Sequence, residues 1–287
     1  MPEATFGLAD WHPHYDVWLV LGAVGIGYWL AITRLGAANR VAGKPPATTK
    51  QVVSFYIGLT ILWIGADFPL HELSEDYLFS MHMVQHTLFT LVAPPLLMMG
   101  LPTWLLRRIL EPAWVWKIAR VVTRPVFGLL AFNFIIVVTH WPTMVNASVT
   151  SEPIHFLVHL VVFFTAFLMW WPVISPVPEL ARLSEPGKMI YLFMQSVVPT
   201  VPASFLTFAT TPIYSAYERV PRLWGVDVVT DLRVSGLIMK LGGGLLLWLA
   251  IAIIFFRWSA REERQQHDEV TWDDFEHELK ALDMRRT

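Results

Sequence analysis

The sequence predicts an all-α polytopic membrane protein: a bundle of seven transmembrane helices, N-terminus outside and C-terminus in the cytoplasm. Three observations predict it. Hydrophobic residues fill 55% of the 287 positions and charged ones only 15%, against roughly a quarter charged in a soluble domain. The apolar residues form continuous runs near the roughly 20 residues that a helix needs to cross a hydrocarbon core of about 30 Å. The Lys and Arg residues collect in alternate connections, which sets sidedness. The runs lack the period-2 alternation of a membrane barrel, so helices are expected and not strands.

The seven runs are 17–33, 52–69, 77–99, 125–141, 154–174, 189–209 and 234–258. The second and fourth are somewhat short, and six spans remain if one marginal run is re-entrant. Between them the first connection carries Arg34, Arg40, Lys44 and Lys50, and the third carries Arg107, Arg108, Lys117, Arg120 and Arg124. The fifth adds Arg182 and Lys188, and the tail Arg257, Arg261, Arg264, Lys280, Arg285 and Arg286, so 17 of the 21 basic residues share one side. By the positive-inside rule that side is cytoplasmic. No basic segment precedes the first run, so a cleaved secretory signal is not expected. Residues 1–260 thus read as the transmembrane domain and 261–287 as a charged cytoplasmic tail. In the tail Val270, Trp272, Phe275, Leu279 and Leu282 fall on one face, which suggests an amphipathic helix; a loosely ordered solubilising tail is the alternative. His267 and His277 read as surface residues there.

Cysteine is absent. That excludes a disulfide framework, thiolate zinc and iron–sulfur sites and a cysteine nucleophile. The net charge of −2 argues against a nucleic-acid partner. Any metal chemistry must therefore use His, Met and carboxylates.

On this topology eight of the ten histidines lie towards the outer face. His82 and His86 fall in the outer third of the third span, His140 at the end of the fourth, and His155 and His159 in the first turns of the fifth. His71 follows the second span, and His12 and His14 precede the first. A polar side chain at membrane depth is a functional candidate. His82–His86 and His155–His159 are i, i+4 pairs, so each pair stacks on one helix face and can hold a metal ion. For any single histidine the competing reading is helix packing through a hydrogen bond. Asp67 and Asp231 lie at the same level, where each could orient an imidazole through its second nitrogen. Lys240 sits about two turns into the last span. Met81, Met83, Met144 and Met239 are near in height; thioethers suit Cu(I), although packing is their commoner role. Breakers at Pro94-Pro95, Pro199, Pro202 and residues 242–244 should kink the third, sixth and seventh helices.

The segment Ser80-Met81-His82-Met83-Val84-Gln85-His86, followed by Ala93-Pro94-Pro95-Leu96-Leu97 and Gly100-Leu101-Pro102, resembles the third-helix signature of the CtaG-like cytochrome c oxidase assembly factors of bacteria. The resemblance extends to Trp11-His12-Pro13-His14 with Asp16, to His140-Trp141-Pro142, to His155 and His159, to Trp170-Trp171-Pro172, and to Gly236-Leu237-Ile238-Met239 after Asp231. Three positions depart from the common pattern: Val158 where a Glu often stands, Leu232 for Gln, and Lys240 for an aromatic residue. The resemblance implies a multi-pass protein of the bacterial plasma membrane that is not an enzyme. It would bind copper, as Cu+ or Cu2+, and help supply it to haem–copper cytochrome c oxidase subunits. A single-span, cysteine-ligated copper chaperone shares the family's name, and the absence of cysteine separates this chain from it.

On that reading His82, His86, His140, His155 and His159 are the ligands, with His71, His12 and His14 as further candidates. Five or more histidines exceed the needs of one tetrahedral ion, so either two adjacent sites or one site plus a transfer position is expected. The residues also leave open a seven-span zinc hydrolase, a b-type haem protein and a metal-free structural subunit of an oxidase complex. A homo-oligomer is compatible with all of them.

Overall fold

The computed structural model describes residues 3–4, 6–7, 11–36 and 45–284, with side chains except at 3–4, 266–274, 278 and 281–283. Arg40, Lys44, Arg285 and Arg286 of the charge count, and the side chains of His267, Val270, Trp272 and Leu282 in the tail, lie outside the described residues.

Apart from a parallel pairing of β1 (Glu3–Ala4) with β2 (Arg222–Leu223), the regular structure described is helical. Helix α1 (Tyr15–Leu30) runs into a π-helical turn, Ala31–Leu35, and α2 (Thr49–Ala66) opens with a capping box. In it the Gln51 amide donates to Thr48 Oγ1 at 3.2 Å, and the Thr48 amide donates to Gln51 Oε1 at 2.9 Å. A short α3 (Leu70–Asp76) precedes the third span, which comprises α4 (Phe79–Thr87), a π turn at Leu88–Val92 and α5 (Ala93–Gly100). Next come α6 (Thr103–Ile109), α7 (Ala113–Val122), α8 (Pro125–Thr139), α9 (Pro142–Thr150) and α10 (Glu152–Ile174). The sixth span is α11 (Glu185–Val197) with α12 (Thr200–Thr207), broken at Pro199. The seventh is α13 (Val228–Leu237), a π turn at Ile238–Gly242 and α14 (Gly243–Met284).

Among the described residues six helical stretches are long and apolar enough to cross a membrane: Tyr15–Leu35, Thr49–Asp76, Phe79–Gly100, Glu152–Ile174, Glu185–Thr207 and Val228–Gln265. The fourth expected span differs. Its helix α8 has 15 residues, about 22 Å at 1.5 Å per residue, and meets α7 at a bend of 74°. The cause is local. Pro125 lacks the N–H that would continue α7 and disfavours helical backbone at Arg124, which is extended. Helix α14 continues without interruption past residue 260 to Met284, so the tail is helical that far.

Proline also shapes the third span. Pro94 cannot donate to the carbonyl of Thr90, four residues back. Trp170 of α10 supplies the missing partner, with its Nε1 donating to Thr90 O at 2.9 Å. Around this junction Met98, Phe132, Val162, Ala166, Met169 and Leu192 form the main apolar core, which joins the third span to α8, α10 and α11. On the other side, α2 and α5 touch backbone to backbone. A Cβ at Gly100 would stand 2.7 Å from Phe55 Cα.

Candidate metal centre

Helix α4, which carries His82 and His86, begins at Leu78, a residue with no side chain to cap the free amides. Asp231 of α13 caps them from across the bundle. Its carboxylate accepts from the Phe79 amide at 2.7 Å and the Ser80 amide at 3.0 Å. The last span therefore fixes the start of the His82 helix. His155 and His159 lie in the first two turns of α10, with the ring of His155 held by a 3.2 Å contact from Nδ1 to Ser148 Oγ. His140 caps the C-terminal end of α8, and its Nδ1 donates to Ile136 O at 2.7 Å. Because a carbonyl only accepts, Nδ1 carries the proton and Nε2 keeps its lone pair. Tyr214 donates its hydroxyl to His140 O at 3.0 Å; burial pushes that phenol up, so it stays a neutral donor.

These five rings gather at one place. Ring centroids are 4.4 Å apart for His82–His86, 4.4 Å for His155–His159, 4.8 Å for His86–His159 and 6.1 Å for His86–His140. One ligand atom from each of His82, His86 and His159 lies within 4.8 Å of the others, and the same holds for Glu75, His155 and His159. His159 belongs to both groups. Among the described residues the buried atoms His82 Nδ1, His86 Nδ1, His86 Nε2, His140 Nε2 and His159 Nε2 have no hydrogen-bond partner. An orphaned buried polar atom ordinarily costs about 1–3 kcal/mol, and a neutral imidazole offers one free lone pair per ring, so four such rings side by side are suited to holding a cation.

Glu75 is the residue that the sequence reading missed. Its Oε1 lies 2.9 Å from His155 Nε2 and 3.9 Å from His82 Nδ1, neither contact with hydrogen-bond alignment. Helix α3, which continues the stretch of α2 after residues 67–69 and packs on α4, carries it there. The available signal was His71-Glu72-Leu73-Ser74-Glu75-Asp76, three acids in a connection without a base.

His71, His14 and His12 form a neighbouring group around Glu72. His14 stacks edge-on against His71 at 4.2 Å, and its Nε2 is 3.7 Å from Glu72 Oε1. The backbone of His12 donates to that same oxygen at 3.2 Å, while its side chain is exposed. The expectation for Asp67 and Asp231 is not met: neither reaches an imidazole among the described residues. Asp67 accepts from the indoles of Trp18 at 2.6 Å and Trp63 at 2.9 Å, which ties α1 to α2. Asp231 is used up as the cap. Met81 packs against Leu73, Leu78 and Leu223, and Met83 is buried beside Phe79.

Two cavities flank His86 and His140. One of about 20 Å3 is lined by Phe79, His82, Ser148 and Tyr217 among others, and one of about 60 Å3 extends between the third and seventh spans.

In comparisons with known proteins, no curated protein and no solved structure matches the chain. One family does, that of the cytochrome c oxidase caa3 assembly factors, over residues 26–261. That match includes α2–α13, the whole five-histidine cluster and Glu75. The chain belongs to the cytochrome c oxidase caa3 assembly factor family.

Proposed function

We propose that this assembly factor binds copper through the histidine cluster at the outer face of a bacterial plasma membrane and passes it to subunits of a haem–copper oxidase, without catalysing a reaction of its own. The observation that carries the reading is the convergence of buried imidazole nitrogens with no other partner at His82, His86, His140 and His159. Imidazole binds both oxidation states of copper well. Two groups joined by His159 would serve as two adjacent sites or as one site plus a transfer position, with Glu75 as the associated carboxylate. His71, His14 and Glu72 would then receive the ion first, from the N-terminal side.

The topology belongs to the same proposal. The bent pair α7 and α8 supplies the fourth crossing, with Arg120 and Arg124 before α8 and His140 at its far end. Seven crossings then put the N-terminal segment outside and α14's charged end in the cytoplasm.

Element analysis of detergent-purified protein tests this, together with a His82→Ala/His86→Ala variant scored for oxidase maturation. Copper in the wild type, lost in the variant along with maturation, is the expected result. A protein that binds no copper and a variant that still matures the oxidase overturn the reading. One carboxylate and two imidazoles can also hold a catalytic zinc ion. Zinc in place of copper, with amidase or esterase activity, would select a hydrolase.

A further inference from the structure

We infer that the larger cavity is a further and softer ion site, in which Met83, His86, His140 and Met239 take a monovalent d10 ion, Cu(I). The inference rests on the copper reading for the source of the ion, but its selectivity follows from a different set of side chains.

The cavity holds about 60 Å3, room for an ion with a few waters, since one water needs about 10–15 Å3 on this measure. Met83 and His86 are i, i+3 on α4 and share its face. Both nitrogens of His86 lack a partner among the described residues. At His140 the bond from Nδ1 to Ile136 leaves Nε2 as a bare lone pair. The neighbouring hydroxyls add acceptors only: Thr87, Thr90 and Thr200 spend their protons on the carbonyls of Met83, His86 and Ser196. The lining is thus rich in lone pairs and in sulfur, which favours a soft cation.

Charge selects its valence. Among the described residues no carboxylate lines the cavity, and Lys240 is its one formally charged side chain. Among those residues Lys240 enters no ion pair. Its repulsion acts twice as strongly on a divalent ion as on a monovalent one. The Glu75–His155–His159 group, with its carboxylate, has the opposite preference.

Both π-helical turns of this region, Leu88–Val92 and Ile238–Gly242, border the cavity through Thr90, Leu91, Met239 and Lys240. Such turns widen a helix locally and recur at functional sites. His86 belongs both to the group with His82 and His159 and to this lining, so one imidazole links the two positions.

The test uses the full chain in lipid nanodiscs, titrated anaerobically with Cu(I) and separately with Cu(II), with copper X-ray absorption as the second readout. The wild type should show sulfur scattering when loaded with Cu(I). Met83→Leu/Met239→Leu should lose that scattering and one Cu(I) equivalent while keeping Cu(II), its folding checked by an unchanged circular dichroism spectrum. Lys240→Leu, which removes the charge without adding a ligand, should tighten Cu(II) binding more than Cu(I) binding; an equal effect on both ions, or none, counts against the charge argument. Cu(I) bound without sulfur, or a double Met variant that keeps every Cu(I) equivalent, overturns the inference and leaves the histidine reading standing. A wild type that binds neither ion defeats the copper reading itself, and the inference with it.

Discussion

Trp170 and Thr90 meet through a bond that a proline makes necessary: the indole Nε1 donates to the Thr90 carbonyl at 2.9 Å, where Pro94 has no N–H to offer. Phenylalanine at 170 would leave that buried carbonyl unpaired, at a cost of about 1–3 kcal/mol. Trp170→Phe should therefore lower the thermal midpoint in detergent by several degrees, read by circular dichroism. An unchanged midpoint would mean that the carbonyl finds another donor.

Asp231 offers a second test, because its two oxygens cap the helix that bears His82 and His86. Asp231→Ala should cost about 2 kcal/mol, the upper end for a cap, since the freed amides are buried. Asp231→Asn keeps one acceptor oxygen and should fall between. Copper stoichiometry should drop with stability in the same order, measured on the same preparations. A variant with full stability and reduced copper would instead make Asp231 a direct participant.

The two ligand groups can be separated by mutation. Glu75→Gln removes a charge from one group, whereas His159→Ala removes a ligand from both. Titration should show one weakened phase for Glu75→Gln and two for His159→Ala. Equal effects would contradict the division into two groups.

Close backbone contact makes glycine necessary at 236. A Cβ there would lie 2.6 Å from Ala203 O and from the Thr207 amide nitrogen. Gly236→Ala should push α12 from α13 and destabilise by about 1–3 kcal/mol. Denaturation midpoints of wild type and variant, compared in one detergent, check this.

Outside the membrane, Asp227 caps α13. Bonds from the Thr230 hydroxyl and from the amides of Thr230 and Val229 hold its carboxyl below the ordinary value of 3.8. A depressed folded pKa contributes stability above the unfolded value, and that contribution is lost as pH falls through the folded one. The midpoint difference between wild type and Asp227→Ala should thus be flat from about pH 7 to 5 and shrink below about pH 4. A difference that grows on acidification would contradict the cap.

Hydrophobic run length was enough to place the spans of α2, α10 and α14, because a bilayer imposes its thickness on the sequence directly. The i, i+4 histidine pairs were legible for a similar reason, as helical periodicity brings them to one face before any tertiary contact forms. Glu75 was hidden because its place beside His155 and His82 depends on how α3 packs against α4 and α10, a tertiary event without a periodic signature. Asp231 was misjudged by the same token. Its depth was readable, but its partners are backbone amides more than 150 residues away. The π turns left only an indirect trace, the Pro94-Pro95 and glycine breakers beside them.

His159 stands in both ligand groups, and that overlap limits what the cluster can do. Under the proposed copper reading, two ions could not each claim the same imidazole in full, so filling one position would loosen the other. Such a pair would give up storage capacity and gain an easy handover, since the incoming ion would help to dislodge the one ahead of it.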